Sequence, residues 1–94
     1  MERIINVEVV FYENARKTSP LGNVYRPHFI VDGSDVYLGI QFIHLKNVPL
    51  GKRIISKVEL LYDGVDYSQL KQDTHFIIKE GTESVGEGVV LTDF

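Results

Sequence analysis

The chain has 94 residues, a formal net charge of −3 and no cysteine. This length suits one small domain with a single core, so we expect a single domain over residues 1–94. The absence of cysteine excludes disulfides, thiolate nucleophiles, zinc–thiolate sites and iron–sulfur clusters. The acidic balance lacks the basic bias that nucleic-acid-binding domains usually show.

No apolar run approaches the roughly 20 residues that a membrane-spanning helix needs. Residues 1–6 mix acid and base and lack the apolar segment of a signal peptide. Small secreted domains often depend on disulfides, which this chain cannot form. We therefore expect a cytoplasmic protein that does not enter a membrane.

Apolar residues recur with a period of two, which is typical of β-strands that bury one face. Val7, Val9 and Phe11 share the core face of the first predicted strand, and the even positions from Val36 to Phe42 form the core face of the third. The predicted strands span residues 6–13, 28–31, 36–42, 54–62, 74–79 and 85–92. The phenylalanines expected in the core are Phe11, Phe29, Phe42 and Phe76.

Turn residues separate these strands. Asp32–Gly33 supplies the positive φ of a tight turn, residues 47–51 form another turn, and residues 14–22 form a polar loop. Residues 67–70 are expected to form a single helical turn. Six short strands without a convincing helix favour an all-β barrel or sandwich, and a closed barrel leaves no free strand edge.

Gly86 and Gly88 leave two same-side positions of the last strand without side chains. That pattern permits a bend, a bulge or the close approach of another backbone. A phosphate-binding loop is the alternative, but a third glycine and a following helix are missing. We therefore interpret both glycines as structural.

Two segments of the chain resemble the C-terminal β-barrel domain of elongation factor Tu. Residues 79–90 read Lys-Glu-Gly-Thr-Glu-Ser-Val-Gly-Glu-Gly-Val-Val, and residues 25–29 read Tyr-Arg-Pro-His-Phe. The family has Arg-Glu-Gly-Gly-Arg-Thr-Val-Gly-Ala-Gly-Val-Val and Tyr-Arg-Pro-Gln-Phe, and the likeness extends over about residues 7–91. It implies a closed six-stranded antiparallel Greek-key barrel that serves as a docking surface and carries no catalytic chemistry.

In that family the domain packs on its neighbouring domains and touches the T-stem backbone of aminoacyl-tRNA. The resemblance places the corresponding surface on His28, Asp32, Tyr37, Glu80, Gly81 and Glu83. Asp32 and Glu83 stand where the family has arginine, and this reversal of charge weakens binding to a polyanion. We therefore expect a stand-alone, translation-factor-like barrel that acts as a protein-interaction module.

Two further hypotheses concern partners. A weak tRNA or RNA binder, disfavoured by the acidic balance, would draw its basic stripe from Lys46, Lys52, Arg53, Lys57 and Lys71. Tyr12, Tyr37 and Tyr67 are expected to point outward, which suits protein interfaces better. A homo-oligomer could replace the lost neighbouring domains with a second copy of the chain.

A small-ligand barrel or an enzyme is the remaining alternative. His28 and His75 could face each other, but a metal site needs three or four converging ligands, and His44 is the only other histidine. The pairs Asp32/Asp35 and Asp63/Asp66 are interpreted as turn residues. A triad of Ser34, His28 and Asp35 lacks a nucleophile elbow, and no P-loop is present. We expect no catalytic activity, no metal and no cofactor.

Overall fold

The computed structural model describes residues 3–13, 25–43, 45 and 48–92. Its six strands are β1 (Ile4–Phe11), β2 (His28–Val31), β3 (Leu38–Ile43), β4 (Arg53–Leu60), β5 (His75–Glu80) and β6 (Glu83–Thr92). Each predicted strand is present. The bounds of β2 agree with the prediction, whereas β3 begins two residues later and β6 two residues earlier than predicted.

The strands close into a barrel in the order β1-β4-β3-β2-β5-β6. Every neighbouring pair is antiparallel, including the pair of β1 and β6 that closes the barrel. The expectation of an all-β, closed, six-stranded antiparallel barrel is therefore confirmed. Closure pairs every strand on both sides, so the described sheet has no free edge.

The barrel interior is filled by apolar side chains from alternate strand positions. Phe11, Phe29, Phe42 and Phe76 are all buried, as predicted. The rings of Phe29 and Phe76 stack with their centroids 3.9 Å apart, and Tyr25 stacks on Phe42 at 5.6 Å. The period of two in the sequence thus identified the residues that fill this core.

The turns are held by backbone hydrogen bonds. Ser34 N donates to Val31 O at 2.9 Å, which closes the predicted turn around Gly33, whose φ is 84°. Residues 67–70 form a hydrogen-bonded turn, in which Leu70 N donates to Tyr67 O at 2.9 Å, and not a helix. The predicted loop at 14–22 and the start of the turn at 47–51 lie outside the described residues.

Gly86 and Gly88 lie where β6 approaches the backbone of β1. A Cβ atom at Gly88 would lie 2.5 Å from the carbonyl oxygen of Glu8, and one at Gly86 would lie 2.6 Å from that of Val10. Neither carbonyl can step aside without disturbing the ladder that closes the barrel. The interpretation of these glycines as structural, through close approach of another backbone, is confirmed.

Two predicted orientations are wrong. Tyr67 was expected outward but is buried, with 3% of its surface exposed, because its hydroxyl finds hydrogen-bond partners inside the fold. Val36 was expected in the core but is exposed, because it precedes β3 and escapes the alternation of that strand. Within the part of the chain that the structure describes, no helix is long and apolar enough to span a bilayer.

Candidate docking surface

The structure brings together two of the six residues that the resemblance points to. His28 begins β2, and Tyr37 immediately precedes β3, which pairs with β2. Their rings make an edge contact, with centroids 5.5 Å apart and planes at 70°. Both side chains lie on the outer side of the barrel, because the neighbouring residues Phe29 and Leu38 point into the core.

The other four residues divide between the two ends of β5, and the three hairpin residues lie at the end nearer to His28, which pairs with Lys79. Asp32 follows the far end of β2, where its backbone N–H donates to His75 O at 3.1 Å. Glu80, Gly81 and Glu83 belong to the β5–β6 hairpin, at the opposite end of β5 from His75. The carboxylate of Glu80 accepts a hydrogen bond from the Tyr25 hydroxyl at 2.5 Å, which engages it at the end of the barrel.

A third ring, that of Tyr62, joins His28 and Tyr37. Gly39 pairs with His28 across the β2–β3 ladder, and the Tyr62 ring lies over Gly39 so closely that a Cβ atom there would overlap its Cε2. We call the outer surface formed by His28, Tyr37 and Tyr62 the aromatic face. A glycine inside an otherwise apolar strand is the sequence signal that could have pointed to a covering ring.

Buried hydrogen bonds fix the backbone beneath the aromatic face. The Tyr67 hydroxyl donates to Gly39 O at 2.6 Å and accepts from Tyr62 N at 3.1 Å. On the other side, Arg3 donates to Tyr62 O at 2.8 Å, and its guanidinium lies 5.0 Å from the centre of the Tyr67 ring. Tyr62 is therefore held in place by its main chain while its ring stays exposed.

The aromatic face is accessible to a partner. Tyr37 is 43% exposed and Tyr62 is 53% exposed, which makes them two of the five exposed large apolar side chains of the described chain. Arg26, which precedes β2 and hydrogen-bonds to Gln41 at 3.0 Å, and Lys79 of β5, which pairs with His28, lie beside it. The face thus combines exposed rings with a mixed polar border.

The two described histidines, His28 and His75, lie apart. His28 pairs with Lys79, whereas His75 lies beside Asp32 at the other end of the β2–β5 pair, so the expectation that they could face each other is wrong. His44 lies outside the described residues. No group of three or more potential ligands among residues 3–13, 25–43, 45 and 48–92 could hold a metal ion.

A cleft of about 370 Å³ lies beside the connection between β4 and β5. Its lining includes Arg3, Lys71 and Asp66. A hydrogen bond from the backbone N–H of Ser68 lowers the pKa of the Asp66 carboxyl, with a further contribution from the Ser68 side chain. This carboxylate therefore stays charged in the cleft beside the two cations.

A second cleft, of about 180 Å³, lies between β5 and β6 and includes Tyr12, Asp32, His75 and Glu87. The Tyr12 hydroxyl donates to Glu87 Oε1 at 2.8 Å. Burial, this hydrogen bond and the charge of Glu87 together raise the pKa of Tyr12 to about 12. A tyrosine that keeps its proton at physiological pH therefore lines this cleft.

The proposed basic stripe is divided between two regions. Lys52 precedes β4, and Arg53 and Lys57 lie on the outer side of that strand. Lys71, by contrast, lines the cleft of about 370 Å³. Arg53 lies 3.6 Å from the carboxylate of Glu8. Lys46 lies outside the described residues.

A scan of the sequence against models of known protein families finds no match.

Proposed function

We propose that this chain is a stand-alone, non-enzymatic barrel of the elongation factor Tu C-terminal type that binds a protein partner through its aromatic face. The observation that carries the proposal is that the rings of Tyr37 and Tyr62 are both exposed near Gly39, on the outer side of β3. Tyrosines supply large contact areas at low cost in conformational entropy, and they are enriched among the residues that dominate protein interfaces.

The strand order supports the relation to the elongation factor barrel. The run β5-β2-β3-β4 has the spatial order of a Greek key, in which a strand returns beside the first of three hairpin-connected strands. The resembling segments fall on defined elements of this barrel, because residues 25–29 lead into β2 and residues 79–90 form the β5–β6 hairpin and most of β6.

Rigid support beneath the rings favours binding. Tyr62 is fixed by hydrogen bonds through its N–H and C=O groups, so little main-chain order has to be gained when a partner covers its ring. Truncation of a central interface tyrosine typically costs about 2 kcal/mol of binding free energy. We therefore expect Tyr37 and Tyr62 to form the centre of the interface.

RNA binding is the second candidate, because Arg26 and Lys79 lie near rings on which bases could stack. The net charge of −3 and the carboxylates of the β5–β6 hairpin oppose this reading, since polyanions bind through released counterions. Protein binding is therefore the function that we propose, and RNA is an outcome that the experiment distinguishes.

Affinity capture from the organism's own extract, with and without nuclease, tests the proposal. We expect the tagged chain to retain a protein partner after nuclease treatment and the variant Tyr37→Ser/Tyr62→Ser to lose it. The control is Ile55→Ser, which removes a more exposed apolar side chain from β4, outside the aromatic face. Capture that disappears with nuclease would support RNA binding, and equal capture by all three proteins would overturn the role of the aromatic face.

A further inference from the structure

The broadest strand surface of the barrel is formed by β6, β1 and β4, which lie side by side in that order. These are the three longest strands, with 10, 8 and 8 residues. We call their central outer surface the β1 face. It consists of Glu8, Val10, Arg53, Ile55, Glu87 and Val89.

The register arranges these side chains on both sides of β1. Val10 lies between Glu87 of β6 and Arg53 of β4, so an acid and a base flank it on opposite sides. Glu8 lies between Val89 of β6 and Ile55 of β4, so two apolar residues flank the next outward position. Opposite charges and apolar groups are therefore placed symmetrically about β1.

We propose that two copies of this chain pack their β1 faces together around a twofold axis parallel to β1. Such an axis places each β4 over the β6 of the other copy. Arg53 then meets the partner's Glu87, and Ile55 meets the partner's Val89, each contact occurring twice. This is the self-complementarity that an isologous interface requires.

The side chains on the axis are compatible with this arrangement. Val10 meets the partner's Val10, which buries apolar surface. Glu8 approaches the partner's Glu8, and this like-charge contact is offset by Arg53. Arg53 lies only 3.6 Å from Glu8 of its own chain and also meets the partner's Glu87. Together with Lys57, which lies two residues after Ile55 on β4, the β1 face contains two acids and two bases. Its net charge is zero, although the whole chain carries a charge of −3.

Ile55 is the side chain that most needs this cover. It is 70% exposed near the middle of a strand, the highest exposure among the large apolar side chains of the described residues.

The alternative twofold axis runs perpendicular to β1 and passes through the row of Ile55. It would place Arg53 opposite the partner's Lys57. Like-charge contact disfavours that orientation, so the parallel arrangement is specified by charge.

Sedimentation analysis of the purified full chain over a concentration series tests the proposal. We expect a reversible dimer, and we expect Arg53→Glu alone and Glu87→Arg alone each to weaken it by about tenfold or more. An equimolar mixture of these two variants should form a heterodimer, because each acidic pair then meets a basic pair. Ile55→Ser should weaken the dimer without altering charge.

Matched controls separate the specific contact from net charge. Lys79→Glu and Glu83→Arg make the same charge changes outside the β1 face and should leave the dimer unchanged. A cooperative thermal unfolding transition confirms that each variant is folded. A wild-type chain that stays monomeric at every concentration overturns the proposal. So does a dimer that resists Ile55→Ser, or a variant mixture that fails to restore association.

Discussion

Tyr67 shows how a single polar atom decides the position of a side chain. It lies in the polar connection between β4 and β5, where no strand alternation indicates which way a residue points. The side chain is buried because its hydroxyl satisfies both Gly39 O and Tyr62 N, which removes the cost of burying a polar group. These partners are distant or turn residues, so the sequence contained no local signal for them.

Replacement of Tyr67 by phenylalanine should destabilise the fold. Tyr62 N loses its acceptor, the Tyr67 hydroxyl, whereas Gly39 O keeps a second hydrogen bond from Leu61 N at 3.3 Å. We expect Tyr67→Phe to lower the free energy of unfolding by about 1–2 kcal/mol. Urea unfolding measures it, with the exposed Tyr37→Phe as the control. Equal stability of the two variants would show that the buried hydroxyl contributes nothing.

Tyr12 predicts a pH dependence at the alkaline limit. Its pKa of about 12 in the folded chain exceeds the ordinary value of 10.0, so the folded state holds the proton more tightly than the unfolded state. This stabilisation is fully present below pH 10 and is lost as the pH rises to about 12.

The measurement compares wild type with Tyr12→Phe by chemical unfolding across this range. The variant lacks the ionising hydroxyl, so the stability of wild type should fall relative to that of the variant as the pH rises. A difference between the two proteins that stays constant with pH would contradict the assignment of the raised pKa to Tyr12.

At the level of the strand, the alternation of apolar residues predicted which side chains fill the core. It predicted the ends of the strands only approximately. Val7, Val9 and Phe11 of β1, for example, all point inward as their spacing indicates. Strand ends depend on pairing with the neighbouring strand, and β6 extends back to Glu83 because Glu83 pairs with Glu80 of β5. The pairing register is likewise a property of two strands, and the residues of one strand do not specify which residues of the other become their neighbours.

Two strand glycines should respond differently to the same substitution. A methyl group at Gly88 meets the carbonyl oxygen of Glu8, whereas one at Gly39 meets the exposed ring of Tyr62, which can move. We expect Gly88→Ala to cost about 1–3 kcal/mol of unfolding free energy through overpacking. Gly39→Ala should cost less than about 1 kcal/mol. Parallel urea titrations of the two variants provide the comparison, and a reversed order of stability would refute the assigned role of the β6–β1 contact.

Across the whole molecule, the aromatic face collects residues that are distant in the chain. The resemblance identified His28 and Tyr37 but also pointed to Asp32 and the β5–β6 hairpin, which the barrel places at separate ends of β5. Tyr62 was missed because its contact with Gly39 arises only when the chain beyond β4 folds back over β3. The barrel could thus be predicted from local patterns, whereas the composition of its surface required the topology.

The central claim is that the aromatic face binds a protein, and site-specific photo-crosslinking in living cells tests it most directly. A photoreactive phenylalanine replaces Tyr62 in one variant and Lys52, an exposed residue at the other end of β4, in the control. We predict a discrete crosslinked protein from position 62 that is absent from position 52 and survives nuclease treatment. Crosslinks at position 62 to RNA alone, or the same crosslinked proteins from both positions, would contradict the account.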